Sequence, residues 1–359
     1  MGFWKNTALV QRSDSLSGLI LWDALRDHAL SAGAKGRPSL RAGRKSPHRR
    51  EEGSELRMEK NKAVLVYRQS KSYHGLRIDE LKSHMQKSVR RGAGDEACKA
   101  FSSMTNMLEL FPNEPMAKAI RTNALNRVLV CVLEDVGAAN PTLVLYVLRR
   151  LLPMSWRKQR KPFSLAAALE CLQLMAASPK SRITSHLYHA YGVAANRELA
   201  LEQRLPVGNV DLSTAPLSNP NCFRCWDQGK QAQDLVMNRF FQSEHAARLD
   251  GVCWLKEAYA QLSEKRPVVA FALACAHLDL SAESMLYKGA CVSENALRAY
   301  KQHDFDLEIL ADAVDVHTAR GRQSGRTAAD FRHRGAAVER EDPRLHNDAL
   351  LYIYTHTKK

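Results

Sequence analysis

The chain has no run of about 18 apolar residues, the length a helix needs to cross a bilayer, so no membrane span is expected. Its N-terminus lacks an apolar core followed by a small-residue cleavage site, which argues against secretion. Asn6 stands where myristoylation after Met1-Gly2 wants Ser or Thr, and Asp14, Asp23 and Asp27 disfavour a mitochondrial presequence. Neither GxxxxGK followed by Ser or Thr nor GxGxxG occurs, so no recognisable nucleotide-hydrolysing module is present. Cys222 and Cys225 form a CxxC, but no second CxxC or HxxxH lies at a familiar distance, and only His245 and Cys253 offer further zinc ligands. Ordinary loop cysteines are the simpler reading, and neither a metal nor another cofactor is expected. Cysteines at 98, 131, 171, 222, 225, 253, 275 and 291, several inside apolar helical patterns, suit reduced thiols in an intracellular compartment, nucleus or cytoplasm.

What the chain has in excess is positive charge. With 53 Lys and Arg against 38 Asp and Glu, the net charge of +15 favours a polyanionic partner without choosing between nucleic acid and an acidic surface. Hydrophobic residues at 45% are ordinary globular usage, so most of the chain should fold. Gly33 to Arg50 holds seven Lys or Arg and no acid among Gly, Pro and Ser. Residues 1–60 therefore read as a basic, largely disordered arm with a short helix at Leu16–Leu30, and Arg37 to Arg50 as either polyanion-binding or merely solvated.

The rest has the periodicity of an all-α protein, a layered array of about ten helices. Ala63–Arg68 has β-branched character but no partner strand. Residues 61–204 form one helical domain, 205–228 a Pro- and Gly-containing boundary, 229–313 a second helical region, and 314–359 a Gly- and Arg-rich C-terminal segment. At its centre lies a hairpin at 116–152. Ile120, Ala124, Leu125, Val128, Leu129, Val132, Leu133 and Val136 make one apolar face, Gly137 offers a left-handed cap, and Asn140-Pro141 starts a second helix.

Three constellations carry candidate chemistry. Lys82, Lys87, Arg90 and Arg91 on the helix after Ile78, with Arg149, Arg150, Trp156, Arg157, Lys158, Arg160 and Lys161 after the hairpin, present cations with one aromatic, as nucleic-acid surfaces do. The alternative is solvated charge with Trp156 packed inward. Asn123, Arg127, Glu134 and Asp135 read as a structural network fixing how helices pack, its gain in stability offset by desolvation, with a subunit contact as the alternative. Asp315, His317, Thr318 and Arg326 are either a phosphate site with an acid–base pair or a helix end in which Asp315 and Thr318 act locally and the arginines are solvated.

The sequences DELKSHMQKSVRRG, DEACKAFSSM and RTNALNRVLVCVLEDVGAANP, with Glu134, Asp135, Val136, Gly137, Asn140 and Pro141 in an "EDIG-ANP"-like turn, carry a resemblance. Residues 76 to 152 resemble the C-terminal helical, collar-like region of clamp-loader-like AAA+ ATPases of the replication-associated recombination type, and uncharacterised proteins of large DNA viruses. The ATPase and sensor motifs are missing, so the resemblance implies an oligomerisation or replication-machinery module and transfers no catalytic residue. The expectation is thus a non-enzymatic nucleic-acid-associated protein, DNA favoured over RNA, forming a homo-oligomer or meeting a replication protein. A scaffold whose basic surface meets an acidic partner stands second, and an enzyme centred on Asp315, His317 and Arg326 third.

Overall fold

Ile78, Leu81, Met85 and Val89 recur at three and four residues and are the buried side of the first described helix, α1 (Ile78–Arg90). The computed structural model describes residues 70–111, 116–155, 161–192, 197–280, 292–327 and 330–338, and positions 349, 352, 353 and 356. The Leu16–Leu30 helix, the Arg37–Arg50 stretch and the Ala63–Arg68 run lie outside these residues. Where ten helices are expected, the described residues contain fourteen α-helices and no strand, with a single antiparallel bridge between Lys71 and Arg77.

After α1 come α2 (Gly94–Thr105), the short α3 (Met107–Leu110), α4 (Ala117–Cys131), α5 (Pro141–Leu151), α6 (Leu165–Ala177), α7 (Ile183–Leu187) and α8 (Arg197–Glu202). The second half holds α9 (Lys230–Phe241), α10 (Glu244–Ala247), α11 (Val252–Gln261), α12 (Arg266–His277), α13 (Glu294–Gln302) and α14 (Ala319–Gln323). Local chemistry sets many of the ends. Gly92 (φ +71°) turns the chain between α1 and α2. The side chains of Asn140, Ser164, Ser243, Ser293 and Thr318 each accept a backbone N–H in the first turn of α5, α6, α10, α13 and α14.

The count rises partly because short breaks divide neighbouring helical segments. Asn106 divides α2 from α3, Gly251 (φ +81°) divides α10 from α11, and His303 (φ +57°) ends α13, so the chain reaches Leu310 without helix. α7 starts at Ile183, four residues after Pro179. The connection contains a fully buried Lys180, whose ammonium donates to the carbonyls of Ala176 and Ser178, closing the end of α6.

The first helices pack as a layer: α2 lies on α1, α4 and α6, and α5 on α6. From the second half, α12 is buried along Val268–Ala276 and packs against α7, α9 and α11, while α11 meets α5. One continuous apolar core runs through both halves. The hairpin at 116–152 sits at their junction, because α4 ends in a π-helical turn, Val132–Val136, that touches both α5 and α12.

Residues 310–327 and 330–338 return to the first described helix and lie across α1. Gly321 is required there: an added Cβ would stand 1.9 Å from the Asp315 carbonyl oxygen. Replacing Gly321 with alanine is expected to lower stability in urea by about 1–3 kcal/mol through overpacking. The control, Gly208→Ala, meets no atom within 4 Å and should change it by less than about 0.5 kcal/mol.

A buried charge centre between α1, the hairpin and the C-terminal segment

The charged residues of α1 stand at helical spacings, and the face they form is covered. Asp79 accepts the Ala319 N–H at 2.8 Å, and Glu80 pairs with Arg320 at 3.0 Å. A turn further, the His84 ring accepts the Leu310 N–H at 3.1 Å. Lys87 pairs with Asp315 and also donates to the Ser83 hydroxyl. Arg90 donates through Nε to Asp135 at 2.8 Å and through Nη1 to the Gly335 carbonyl at 2.6 Å. Arg91 reaches Asp312 at 2.8 Å. Gly335 permits this approach, since a Cβ there would lie 2.8 Å from Cε of Lys87 and 2.9 Å from the Phe331 ring.

The hairpin contributes the other wall. Asp135, fully buried in the π-helical turn, accepts from Arg90 on one carboxylate oxygen and from Gln86 at 2.9 Å on the other. Its backbone carbonyl receives the Ser181 N–H, which draws Arg182 alongside at 3.6 Å. Lys87, Arg90 and Arg182 all stand 5.7–5.9 Å from the centre of the Phe331 ring, a cation–π arrangement.

Burial sets the electrostatics. Loss of hydration brings the Lys87 ammonium down to about 8 although Asp315 opposes the change. Burial works against the Arg90 charge as well, but Asp135 more than restores it. The His84 imidazole is lowered by burial, with Glu96 opposing. The Glu134 carboxyl is pushed up to about 7, mainly by lost hydration and also by Asp135 and Glu264, against Arg127 and Arg182.

For Glu134 the folded state retains a proton between about pH 4.5 and 7 that the unfolded chain has released. Its contribution to stability is therefore present at low pH and lost as pH rises through that window. Glu134→Gln, which does not titrate, should gain about 1–3 kcal/mol relative to the wild type between pH 4.5 and 7.5. Paired urea titrations at the two pH values measure it.

The structure separates the cations that the sequence grouped as a polyanion surface. Lys87 and Arg90, each 3% exposed, are interior and committed to carboxylates. This corrects the reading of α1 as a basic nucleic-acid face. Arg91 is half-buried and paired, and Lys82 donates to the Asn123 side chain at 3.0 Å. Arg149, Arg150 and Lys161 are exposed, Arg150 beside Glu170 at 3.0 Å. Trp156, Arg157, Lys158 and Arg160 lie outside the described residues.

The structural network divides as well. Asn123 joins Lys82, Arg127 acts on Glu134, and Asp135 turns to Arg90, Gln86 and Arg182. In the C-terminal constellation, the Thr318 hydroxyl accepts the Gly321 N–H as the cap of α14, and the Asp315 side chain accepts the His317 N–H. The His317 ring meets Phe331 edge-on at 4.7 Å, and Arg326 is half-buried two residues beyond Ser324. With Asp315 tied to Lys87, these residues form a helix start and an ion pair in place of a converged acid–base site.

Gln86, Arg182, Asp312, Phe331 and Gly335 were not legible as members of this centre. Gln86 and Arg90 share a face at four-residue spacing, but nothing local points either at Asp135, and the others come from distant, aperiodic segments.

Cys98, Cys131, Cys171, Cys222 and Cys275 are buried free thiols, Cys253 is an exposed one, and burial pushes the Cys171 thiol up to about 12. The Cys222 sulfur lies 3.5 Å from the Pro216 carbonyl, and His245 stands 3.5 Å from Asp279. Among the described residues no group of three or more His, Cys, Asp or Glu is placed to hold a metal ion, and no helix is long and apolar enough to cross a membrane. No family model, curated protein or solved structure matches the chain.

Proposed function

We propose that this is a non-enzymatic, nucleic-acid-associated helical protein whose binding surface is the basic connection between α5 and α6. The observation that carries the reading is the exposure of Arg149, Arg150 and Lys161 at both ends of that connection, in contrast to the buried cations of α1. The net charge of +15 adds long-range attraction for a polyanion. The resemblance of residues 76 to 152 to a clamp-loader-like collar favours DNA over RNA and a replication or recombination accessory role. The buried charge centre then fixes the geometry of the hairpin from which the connection springs.

Fluorescence anisotropy with single- and double-stranded DNA and RNA at 50–200 mM salt tests the proposal. Affinity should fall steeply with salt as phosphate contacts are lost. Replacing Arg149, Arg150 and Lys161 by alanine should flatten the logarithmic salt slope by about one per phosphate contact removed. Absence of binding at 50 mM salt sinks the reading.

A second reading, an interaction scaffold, is favoured by a separate observation. Tyr73, Leu110 and Phe111 are 51%, 41% and 45% exposed, and the rings of Tyr73 and Phe111 lie 6.4 Å apart. An apolar group of this kind suits a protein partner. It predicts a defined stoichiometry, in a homo-oligomer or with a second protein, that survives nuclease and is lost on replacing Tyr73 and Phe111 by serine.

A further inference from the structure

We propose that Arg182 and Thr184, where the π-helical turn meets α7, form a binding site for a small oxyanion of the phosphate or sulfate class. Arg182 is 6% exposed, yet its Nε and Nη1 atoms are buried without a hydrogen-bond acceptor. Its nearest paired carboxylate, Asp135, is 3.6 Å away and already accepts from Arg90 and Gln86. A guanidinium keeps its charge at any ordinary pH, so it cannot relieve this burial by releasing a proton.

The surrounding charges do not balance it. Around Phe331 stand the cations of Lys87, Arg90 and Arg182, while the carboxylates paired with them are those of Asp315 and Asp135. The Lys87 and Arg90 pairs take up both, so Arg182 only shares Asp135, at 3.6 Å and without a hydrogen bond. Glu134 is the nearby carboxyl best placed to help, but the same desolvation holds back its ionisation.

A second buried polar group without a partner lies two residues along the chain, against the turn that carries Asp135 and Gly137. The Thr184 hydroxyl is buried and makes no hydrogen bond. It faces Gly137, where an added Cβ would stand 3.7 Å from the hydroxyl oxygen, so a hydrogen atom forms that wall. An oxyanion accepting from the guanidinium and the hydroxyl satisfies these donors and supplies the missing negative charge together. A water molecule can accept from the same donors but brings no negative charge.

Thermal unfolding of the full chain at pH 7.5, with inorganic phosphate titrated against chloride at matched ionic strength, tests the site. The wild type should show a saturable, phosphate-specific rise in Tm, as mass action requires of a ligand bound to the folded state. Arg182→Gln should abolish the rise and, in chloride, unfold no earlier than the wild type, because it removes an unbalanced buried charge. Thr184→Val should raise the half-saturating phosphate concentration several-fold.

Replacement of Arg149, Arg150 and Lys161 by alanine should leave the rise intact, which separates this site from the proposed nucleic-acid surface. A companion titration with a 5′-phosphorylated and an unphosphorylated oligonucleotide distinguishes free phosphate from a nucleic-acid terminus. If phosphate gives no specific rise, or the rise persists in Arg182→Gln, the site is refuted and phosphate is an adventitious ion only. A loss of stability in Arg182→Gln without phosphate dependence would make Arg182 a structural counter-ion of Asp135.

Discussion

Replacing Asp135 with alanine is expected to lower the free energy of unfolding by about 3–5 kcal/mol, the range for a buried ion pair that loses one partner. Asp135 is fully buried, and its oxygens accept from Arg90 and Gln86. Without it, Arg90 keeps its hydrogen bond to the Gly335 carbonyl and its contact with the Phe331 ring but no carboxylate, and a charged guanidinium remains in the interior. Arg182 loses the carboxylate at 3.6 Å as well. The penalty comes mainly from cations left behind, so Asp135→Asn should recover little: its amide keeps the shape but provides one acceptor oxygen and no charge. Urea titrations of both variants measure the effect, and a change below about 1 kcal/mol in Asp135→Ala would show that the centre relaxes or admits solvent.

The pair between Lys87 and Asp315 should show a comparable loss with a different signature. Both residues are nearly buried, and their positions are 228 apart in sequence. Lys87→Met is expected to cost about 3–5 kcal/mol by leaving the Asp315 carboxylate without its cation. Adding Asp315→Leu should recover most of that, because an apolar pair of similar volume avoids both desolvation penalties. The coupling energy from the double-mutant cycle is the quantity to read.

The pair also has a pH signature. The folded-state Lys87 value of about 8 lies below its ordinary 10.5, so between these values the unfolded chain binds the proton more strongly. Stability of the wild type relative to Lys87→Met should therefore rise with pH across that window. A flat difference would mean that the ammonium is hydrated.

Much of the secondary structure was legible because it follows from local chemistry. The spacing of Ile78, Leu81, Met85 and Val89 gives α1, and Asn140-Pro141 starts α5. Gly92 takes the positive φ that its place after α1 calls for, whereas Gly137, expected as a left-handed cap, pairs φ +48° with ψ −133° and opens a 3-10 turn instead. Where helices broke unexpectedly, single residues decided it: Asn106 with a near-helical backbone, and His303 in a left-handed conformation.

The direction of charge was not legible in the same way. A lysine or arginine on the polar side of a helix is ordinarily solvated, and the residues next to Lys87 and Arg90 give no other indication. Their partners lie 45 residues away at Asp135, 228 at Asp315 and 245 at Gly335.

The sequence by itself determined an all-α chain, the hairpin at 116–152, the excess of positive charge and the caps that bound several helices. Periodicity and capping act within about one helical turn, which is why a single chain segment reveals them. Only the tertiary structure decided which cations face water. By laying residues 310–327 and 330–338 over α1 and turning Asp135 inward, it withdrew Lys87 and Arg90 from the surface and left Arg149, Arg150 and Lys161 on it. Burial depends on what packs against a face, and here the covering segment comes from the other end of the chain.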